Sequence, residues 1–322
     1  MTDLSMTLRE ALEREASGTS TVALAAAVER LIGRYRAVAP ARDPILARPA
    51  DVLAYATYRM PATYAAVQHA LTQAVAAGLG SISTVADLGG GTGATAWAAA
   101  QIWPSLDRVT VLEQVPEALD LGRRLVSGAD LPPITWTRWR LGEPVPEADL
   151  VTVSYVLSEL TAQQQADVVA RAQTSARRAV LVIEPGTPDG HRRILAARSA
   201  LLDLGWTPLA PCPHALACPL AERDWCHFSA RVNRSALHRK VKGGELSHED
   251  EKFSYILAVP SAVGGEPAAR VVRHPQKRKG LVELQLCRPD GSAGREIVSK
   301  RQGPAYKAAR DLEWGDAWPP AD

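Results

Sequence analysis

The chain has 322 residues, of which 46% are hydrophobic and 22% charged, with a net charge of +2; these are ordinary values for a globular protein and exclude a disordered one. Its nearest approach to an apolar run, the Ala-rich stretch 22–28, falls far short of the roughly 20 residues that cross a bilayer, which excludes a membrane span. Asp3, Glu10, Glu13 and Glu15 fit neither a secretory signal nor an acid-poor transit peptide, so a cytoplasmic location is expected.

Apolar positions recur at helical spacing through Leu8 and Leu12 and again through Val22, Ala26 and Leu31, which predicts helices. Thr7 and Glu10 have capping-box spacing. Prolines 44 and 49 interrupt this region, and a further helix is predicted from Pro61 to Ala77, ended by Gly78 and Gly80. Residues 1–80 thus read as a helical region with no visible chemistry. From Ser83 onward short apolar runs predict strands at 84–88, 109–113, 134–137, 149–154 and 179–183, separated by helices at 94–102, 117–126 and 162–173. Buried-type strands alternating with helices imply an α/β fold, a parallel sheet covered on both faces. The regularity weakens after Gly205, and strands resume at 227–232, 253–259 and 282–287. The expected organisation is a core over 81–260 with a Cys-bearing insertion at 205–232, followed by a small basic β-rich unit over 261–322.

The first core strand runs into Asp87-Leu88-Gly89-Gly90-Gly91-Thr92-Gly93 and a helix follows. Glycine is the residue that lets backbone approach a ligand closely. Glu113, twenty residues past Gly93 at the end of the next strand, is placed to accept hydrogen bonds from both hydroxyls of a ribose. Gly89, Gly91 and Ala94 also spell a dinucleotide fingerprint, so NAD competes. A carboxylate two residues before the first glycine would repel a pyrophosphate, whereas it favours the cationic ligand S-adenosylmethionine. A Rossmann-like methyltransferase core therefore takes precedence, with Asp87, Gly89, Gly91, Gly93 and Glu113 at the cofactor and Asp149 supporting the site from its strand end. The fourth strand leads into Ser154-Tyr155-Val156-Leu157, not into the Asn/Asp-Pro-Pro-aromatic motif of amino-directed methyltransferases. Ser158 and Glu159 read as caps of the next helix.

Four cysteines, Cys212, Cys218, Cys226 and Cys287, are spaced C-x5-C-x7-C and then, after a gap of 60 residues, C. Clustered thiols in a cytoplasmic protein point to a metal centre, and four thiolates satisfy zinc or an iron-sulfur cluster alike. His214 and His227 are further possible zinc ligands, each more simply a packing or surface residue. Cys212 as a nucleophile toward a pyrimidine is a separate reading, weakened by its place outside the core strand ends.

Charge is uneven: Arg223 to Arg310 holds 18 Lys/Arg against 9 Asp/Glu. Such an excess fits a polyanionic partner or a solvated face.

Taken together, 85–93, 153–160, Glu184-Pro185-Gly186-Thr187-Pro188, Cys212-Pro213-His214, Cys218-Pro219-Leu220, Trp225-Cys226-His227-Phe228, 249–255 and Trp314-Gly315-Asp316 resemble the methyltransferase-like family associated with the small ribosomal subunit. This resemblance runs from the N-terminal helices nearly to the C-terminus. It implies that Cys212, Cys218, Cys226 and Cys287 ligate a 4Fe-4S cluster. It also implies binding near small-subunit rRNA through a basic surface, for which Arg231, Arg234, Arg239, Lys240, Lys242, Lys277, Arg278 and Lys279 are the candidates. Three activities stay open: a methyltransferase acting on the small ribosomal subunit, a non-catalytic RNA-binding assembly factor, and a small-molecule methyltransferase with structural zinc.

Overall fold

The computed structural model describes residues 3–36, 48–220, 224–242, 246–260 and 268–319. Three helices open the chain: α1 (Leu4–Ala16), α2 (Thr21–Arg36) and α3 (Pro49–Ala76). α1 buries Leu4, Leu8, Ala11 and Leu12, the expected stripe. Its cap is Asp3, whose side chain accepts from the Ser5 amide; the proposed Thr7–Glu10 box falls inside the helix. On α2 the buried stripe is Leu24, Ala27, Val28 and Leu31, while Val22 is 78% exposed. The expected phase was wrong because alanine fills either face and carries little directional signal.

α3 is the larger correction. It starts at Pro49, where a missing N–H costs nothing, and runs straight through Pro61, where a new helix was expected. Pro61 leaves the Thr57 carbonyl without its intrahelical donor. Burial of Val52, Ala56, Met60, Tyr64, Val67 and Leu71 in one cluster on both sides of the proline outweighs that loss.

The core then alternates: β1 (Thr84–Leu88), α4 (Ala94–Ile102), β2 (Arg108–Glu113), α5 (Pro116–Val126), β3 (Ile134–Arg138), β4 (Ala148–Ser154), α6 (Ala162–Ser175), β5 (Ala176–Pro185) and α7 (Pro188–Asp203). After these come β6 (Thr207–Ala210), β7 (Phe228–Asn233), α8 (Ala236–Lys242) and β8 (His248–Val259). The sheet order is β3-β2-β1-β4-β5-β8-β6. Strands β1 to β5 pair in parallel, whereas β8 is antiparallel to β5 and lies between it and β6. The expected strand at 253–259 is the second half of β8. Its first half pairs β7, so β6 and β7 share one edge of β8, and Cys212, Cys218 and Cys226 lie in the sequence between them.

Thr161, not Ser158 or Glu159, caps α6, in a capping box with Gln164; Leu157–Glu159 forms a single 3-10 turn. A second sheet follows, of β9 (Ala269–Val271), β10 (Gln276–Arg278), β11 (Leu281–Cys287), β12 (Ala293–Ser299) and β13 (Ala317–Trp318), with α9 (Pro304–Asp311) packed on it. Trp314, just after α9, belongs to the main core cluster, where it meets His227 and Phe228.

Candidate functional site

All parallel strands of the core point their carboxyl ends to one edge, and the glycine loop leaves β1 there. Gly89, Gly91 and Gly93 have φ of 66°, 55° and 87°, values that L side chains avoid. Gly93 is also the N-cap of α4, and a Cβ on it would lie 2.7 Å from the Trp136 ring. Gly90, which spacing alone did not mark, is as constrained: a Cβ would lie 2.5 Å from the Asp87 carboxylate.

Glu113 ends β2 beside this loop and is 7% exposed. Its Oε2 accepts from the Gly91 amide at 3.0 Å and its Oε1 from the Val115 amide at 2.9 Å. Burial pushes its carboxyl up, against the pull of these amides. Each oxygen keeps a lone pair for a further donor. Asp87 is 1% exposed and accepts from the Thr152 hydroxyl at 2.6 Å. Burial raises its carboxyl to about 7, opposed by hydrogen bonds from Thr152 and Thr95 and reinforced by Glu113.

Two adjoining cavities sit over the loop and share Tyr55, Gly89 and Ser154. One is lined by Glu113, Gln114, Val115, Trp139, Leu141, Tyr155 and Glu159 among others. The smaller reaches Asp87, Thr92 and Thr95 beneath Met60 and Thr63. Among the described residues the joint wall carries three carboxylates, Asp87, Glu113 and Glu159, and no Lys, Arg or His. Glu159 lines the cavity and is exposed; crowding by the chain and the nearby carboxylates of Glu113 and Glu184 push its carboxyl up to about 7.

The expected role of Asp149 is overturned. It is the second residue of β4, and its carboxylate accepts from the Ser83 and Thr84 amides where β1 begins. That is the opposite end of the parallel sheet. Ser154 and Tyr155 stand at the ligand end instead. Tyr155 has φ of 61°, a strained conformation for a bulky residue. Its hydroxyl donates to Glu251 at 3.0 Å, and Glu251 accepts from both terminal nitrogens of Arg59 at 2.7 and 3.1 Å. The Arg59 guanidinium lies 5.3 Å from the Tyr155 ring centre. α3 therefore roofs the site with Tyr55, Arg59 and Met60, although its sequence showed no chemistry. The available signal was Arg59 set among three tyrosines, Tyr55, Tyr58 and Tyr64, in an alanine-rich helix.

The four cysteines come together. Cys212, Cys218, Cys226 and Cys287 line one cavity with His214, Arg198 and Arg270. Cys212 follows β6, Cys226 precedes β7 and Cys287 ends β11 of the second sheet. Burial and the neighbouring thiols of Cys212 and Cys218 push Cys287 up to about 12. The same pressures raise Cys226 well above its ordinary range. Among the described residues, no three His, Cys, Asp or Glu side chains are grouped so as to hold a single metal ion. Zn–S bonds of about 2.3 Å would hold four sulfurs roughly 4 Å apart, whereas a cubane places a separate iron under each thiolate and spreads them further. The donor set, four thiols without a carboxylate, is soft and fits such a centre. The cavity shares no lining residue with those over the glycine loop, so Cys212 is not part of the wall there. His214 Nε2 lies 3.4 Å from Cys287 Sγ. His227 is a packing residue, stacked on Trp225 and edge-on to Trp314.

The basic residues divide. Lys277, Arg278 and Lys279 are exposed on β10 and its turn, and Arg239 is half-buried on α8. Arg231 is exposed but pairs with Asp250 at 3.1 Å. Arg234 is a correction: its side chain is 11% exposed and paired with Glu249 at 2.6 Å, an internal cation with little left for a phosphate. The side chains of Lys240 and Lys242 lie outside the described residues.

A sheet in which an antiparallel strand lies between the fifth and sixth parallel positions differs from the all-parallel dinucleotide fold. It defines, with the glycine loop at its switch point, the class I methyltransferase fold. Within that class the chain belongs to the Rsm22 family, described as mitochondrial small ribosomal subunit Rsm22, whose profile matches residues 49–319. The human mitochondrial ribosome assembly protein METTL17 is 29% identical over 83% of this chain and 62% of its own length. Rsm22-cox11 tandem protein 2, mitochondrial, of Schizosaccharomyces pombe is 26% identical over 84% of this chain and 43% of its own. The chain thus spans less than two thirds of either relative. Magnesium protoporphyrin IX methyltransferase from Synechocystis, solved with bound S-adenosylmethionine, is 13% identical with a TM-score of 0.43, covering 81% of this chain and 99% of that one. No helix among the described residues is long and apolar enough to cross a membrane.

Proposed function

We propose that this chain binds S-adenosylmethionine over its glycine loop, holds a 4Fe-4S cluster on its four cysteines and acts, in the cytoplasm, on the small ribosomal subunit or its rRNA. The observation that carries the cofactor reading is the acid-lined cavity. Three carboxylates without a cation suit a sulfonium and an ammonium and repel a pyrophosphate, which disfavours NAD. Glu113 would take the ribose hydroxyls, and Trp139, Leu141 and Val115 offer apolar walls for a base. Asp87 lies below the smaller cavity, within electrostatic reach of the amino-acid end.

When bound, S-adenosylmethionine supplies an electrophilic methyl group. The chain's part is then to orient a nucleophile against it and accept a proton. Glu159, raised to about 7 in the same cavity, is the group placed to take one. The assembly-factor reading is favoured by Tyr155, whose hydroxyl is tied to Glu251 at the place where the catalytic motif of amino-directed enzymes would stand. Methyl incorporation into RNA from labelled cofactor separates the two.

The carboxyls fix a pH signature. Asp87 titrates near 7 in the folded chain against an ordinary 3.8. Its contribution to the stability of the unliganded protein is therefore present in full below about pH 4 and lost as the pH rises through about 7. A cationic ligand favours the ionised form, so affinity for S-adenosylmethionine is expected to rise between about pH 6 and 7.5. Titration calorimetry across that window should show the rise, Asp87→Asn should reduce it, and Asp87→Asn combined with Glu159→Gln should flatten it. A flat profile in the parent chain would remove the cationic-ligand argument.

The rRNA reading rests on the exposed cations of the second sheet. Replacing Lys277, Arg278 and Lys279 together by alanine is expected to lower the slope of log affinity against log salt by about 2 for single-stranded RNA. An unchanged slope would move the RNA surface elsewhere. The cluster reading is supported by four thiols lining one cavity that holds no carboxylate. A centre there would tie loop 211–227 to the second sheet, because Cys287 ends β11.

A further inference from the structure

The cysteine cavity has two positive charges in its wall and, among the described residues, no negative one. Arg198 on α7 and Arg270 on β9 are each 5% exposed. Neither has a carboxylate partner among the described residues. Arg198 donates to the carbonyls of His214 at 2.9 Å and Leu216 at 2.7 Å, and its buried Nε has no partner. Arg270 donates to the carbonyls of Pro211 at 3.1 Å and Gly315 at 2.8 Å, and to the Gln73 side chain at 2.7 Å. Asp316 is reached only through Gln73, which donates to it at 3.2 Å. By contrast Arg273, the other cation near the thiols, is neutralised by Asp224.

Buried guanidinium groups cannot shed their protons, and a buried charge without a counter-charge is strongly unfavourable. Carbonyl dipoles offset only part of that cost. What faces both arginines is the thiol set. Arg198 lies against Cys212, where its charge and contact oppose the burial that raises that thiol, and Arg270 is the register partner of Cys287.

We propose that Arg198 and Arg270 are built-in counter-ions of a dianionic metal–thiolate centre, an assignment that rests on the cluster reading above. Four thiolates around a doubly positive cubane leave two negative charges, and the wall supplies two positive ones. The same arginines hold the carbonyls on either side of Cys212 and so shape the loop that presents the ligands. One-electron reduction of the centre adds a negative charge. An arginine lost from the wall therefore destabilises the reduced form more than the oxidised one.

The test uses the full chain, purified anaerobically, with Arg198→Met and Arg198→Lys variants, read by iron and sulfide content and by a redox titration. The parent chain should carry about four irons and four sulfides. Arg198→Met should keep a cluster whose reduced-to-oxidised ratio at a fixed potential falls at least tenfold, about 59 mV for one electron. Arg198→Lys keeps the charge and should stay near the parent. A loaded Arg198→Met variant with the parent's potential would overturn the assignment and leave the arginine as a loop clamp. Should Arg198→Met fail to load, a loaded Arg198→Lys at the parent's potential supports the counter-charge, and failure of both overturns it in favour of guanidinium geometry. Stoichiometric zinc without sulfide in the parent would end the cluster reading alone. The counter-charge would then appear as zinc lost from Arg198→Met and retained in Arg198→Lys, and equal retention in both would overturn it. A parent chain that takes up neither metal overturns both.

Discussion

Glu113→Ala is expected to weaken S-adenosylmethionine binding about 100-fold while leaving the fold in place. The variant removes the acceptor for two ribose hydroxyls. Hydrogen bonds to a charged group contribute about 1.5 kcal/mol each at the low end, so roughly 3 kcal/mol is lost, two decades in Kd. The carboxylate also holds the Gly91 and Val115 amides, so its loss loosens the loop that must lie against the ligand. Calorimetric titration with S-adenosylmethionine and S-adenosylhomocysteine measures the effect, with a thermal melt to verify folding. Kd within threefold of the parent in a folded variant would mean that the ribose does not sit on Glu113, and the proposed ligand orientation would fail.

The second large effect is expected at the roof of the site. Glu251 accepts two hydrogen bonds from Arg59 and one from Tyr155, with side chains 13% and 22% exposed for Glu251 and Arg59. Burial opposes the charge on Arg59, but Glu251 more than offsets it, and the guanidinium is held firmly protonated. Glu251→Leu strands that cation and should destabilise the chain by about 3 kcal/mol. Arg59→Leu combined with Glu251→Leu should recover most of the loss, since an apolar pair needs no compensation. Denaturant melts of the two single variants and the double variant measure this. A double variant no more stable than Glu251→Leu would show that the ion pair is not what fastens α3 to the strand ends. Loss of S-adenosylmethionine affinity in the single variant, regained in the double, would link that fastening to the cofactor cavity.

Several elements were readable because their signals are local. The run from Asp87 to Gly93 followed by Glu113 marks a strand end, a glycine loop and a carboxylate within thirty residues, and the structure brings the three together at one cavity. β1 and β2 match their apolar runs to within a residue, because strands buried on both faces are written as continuous apolar stretches. The four cysteines were recognisable as a set, since thiols seldom cluster without a reason.

Other features depend on which parts of the chain meet. Asp149 stands at the start of β4, the end of a parallel strand away from the glycine loop, and only the fold shows that its carboxylate holds the Ser83 and Thr84 amides instead. Pro61 read as a helix start because its local cost is certain, while the packing that overrides it comes from residues far along the chain. Gly90 looked spare until Asp87 folded back beneath it. Composition along the chain thus determined the fold class, the glycine loop and the thiol set, all encoded within one element or one turn. Tertiary structure alone decided that α3 roofs the cavity through Arg59, Glu251 and Tyr155, and that Arg198 and Arg270 face the thiols without acids. Those are meetings of charges up to about two hundred residues apart, and the electrostatics of a buried site are set by what surrounds it in space.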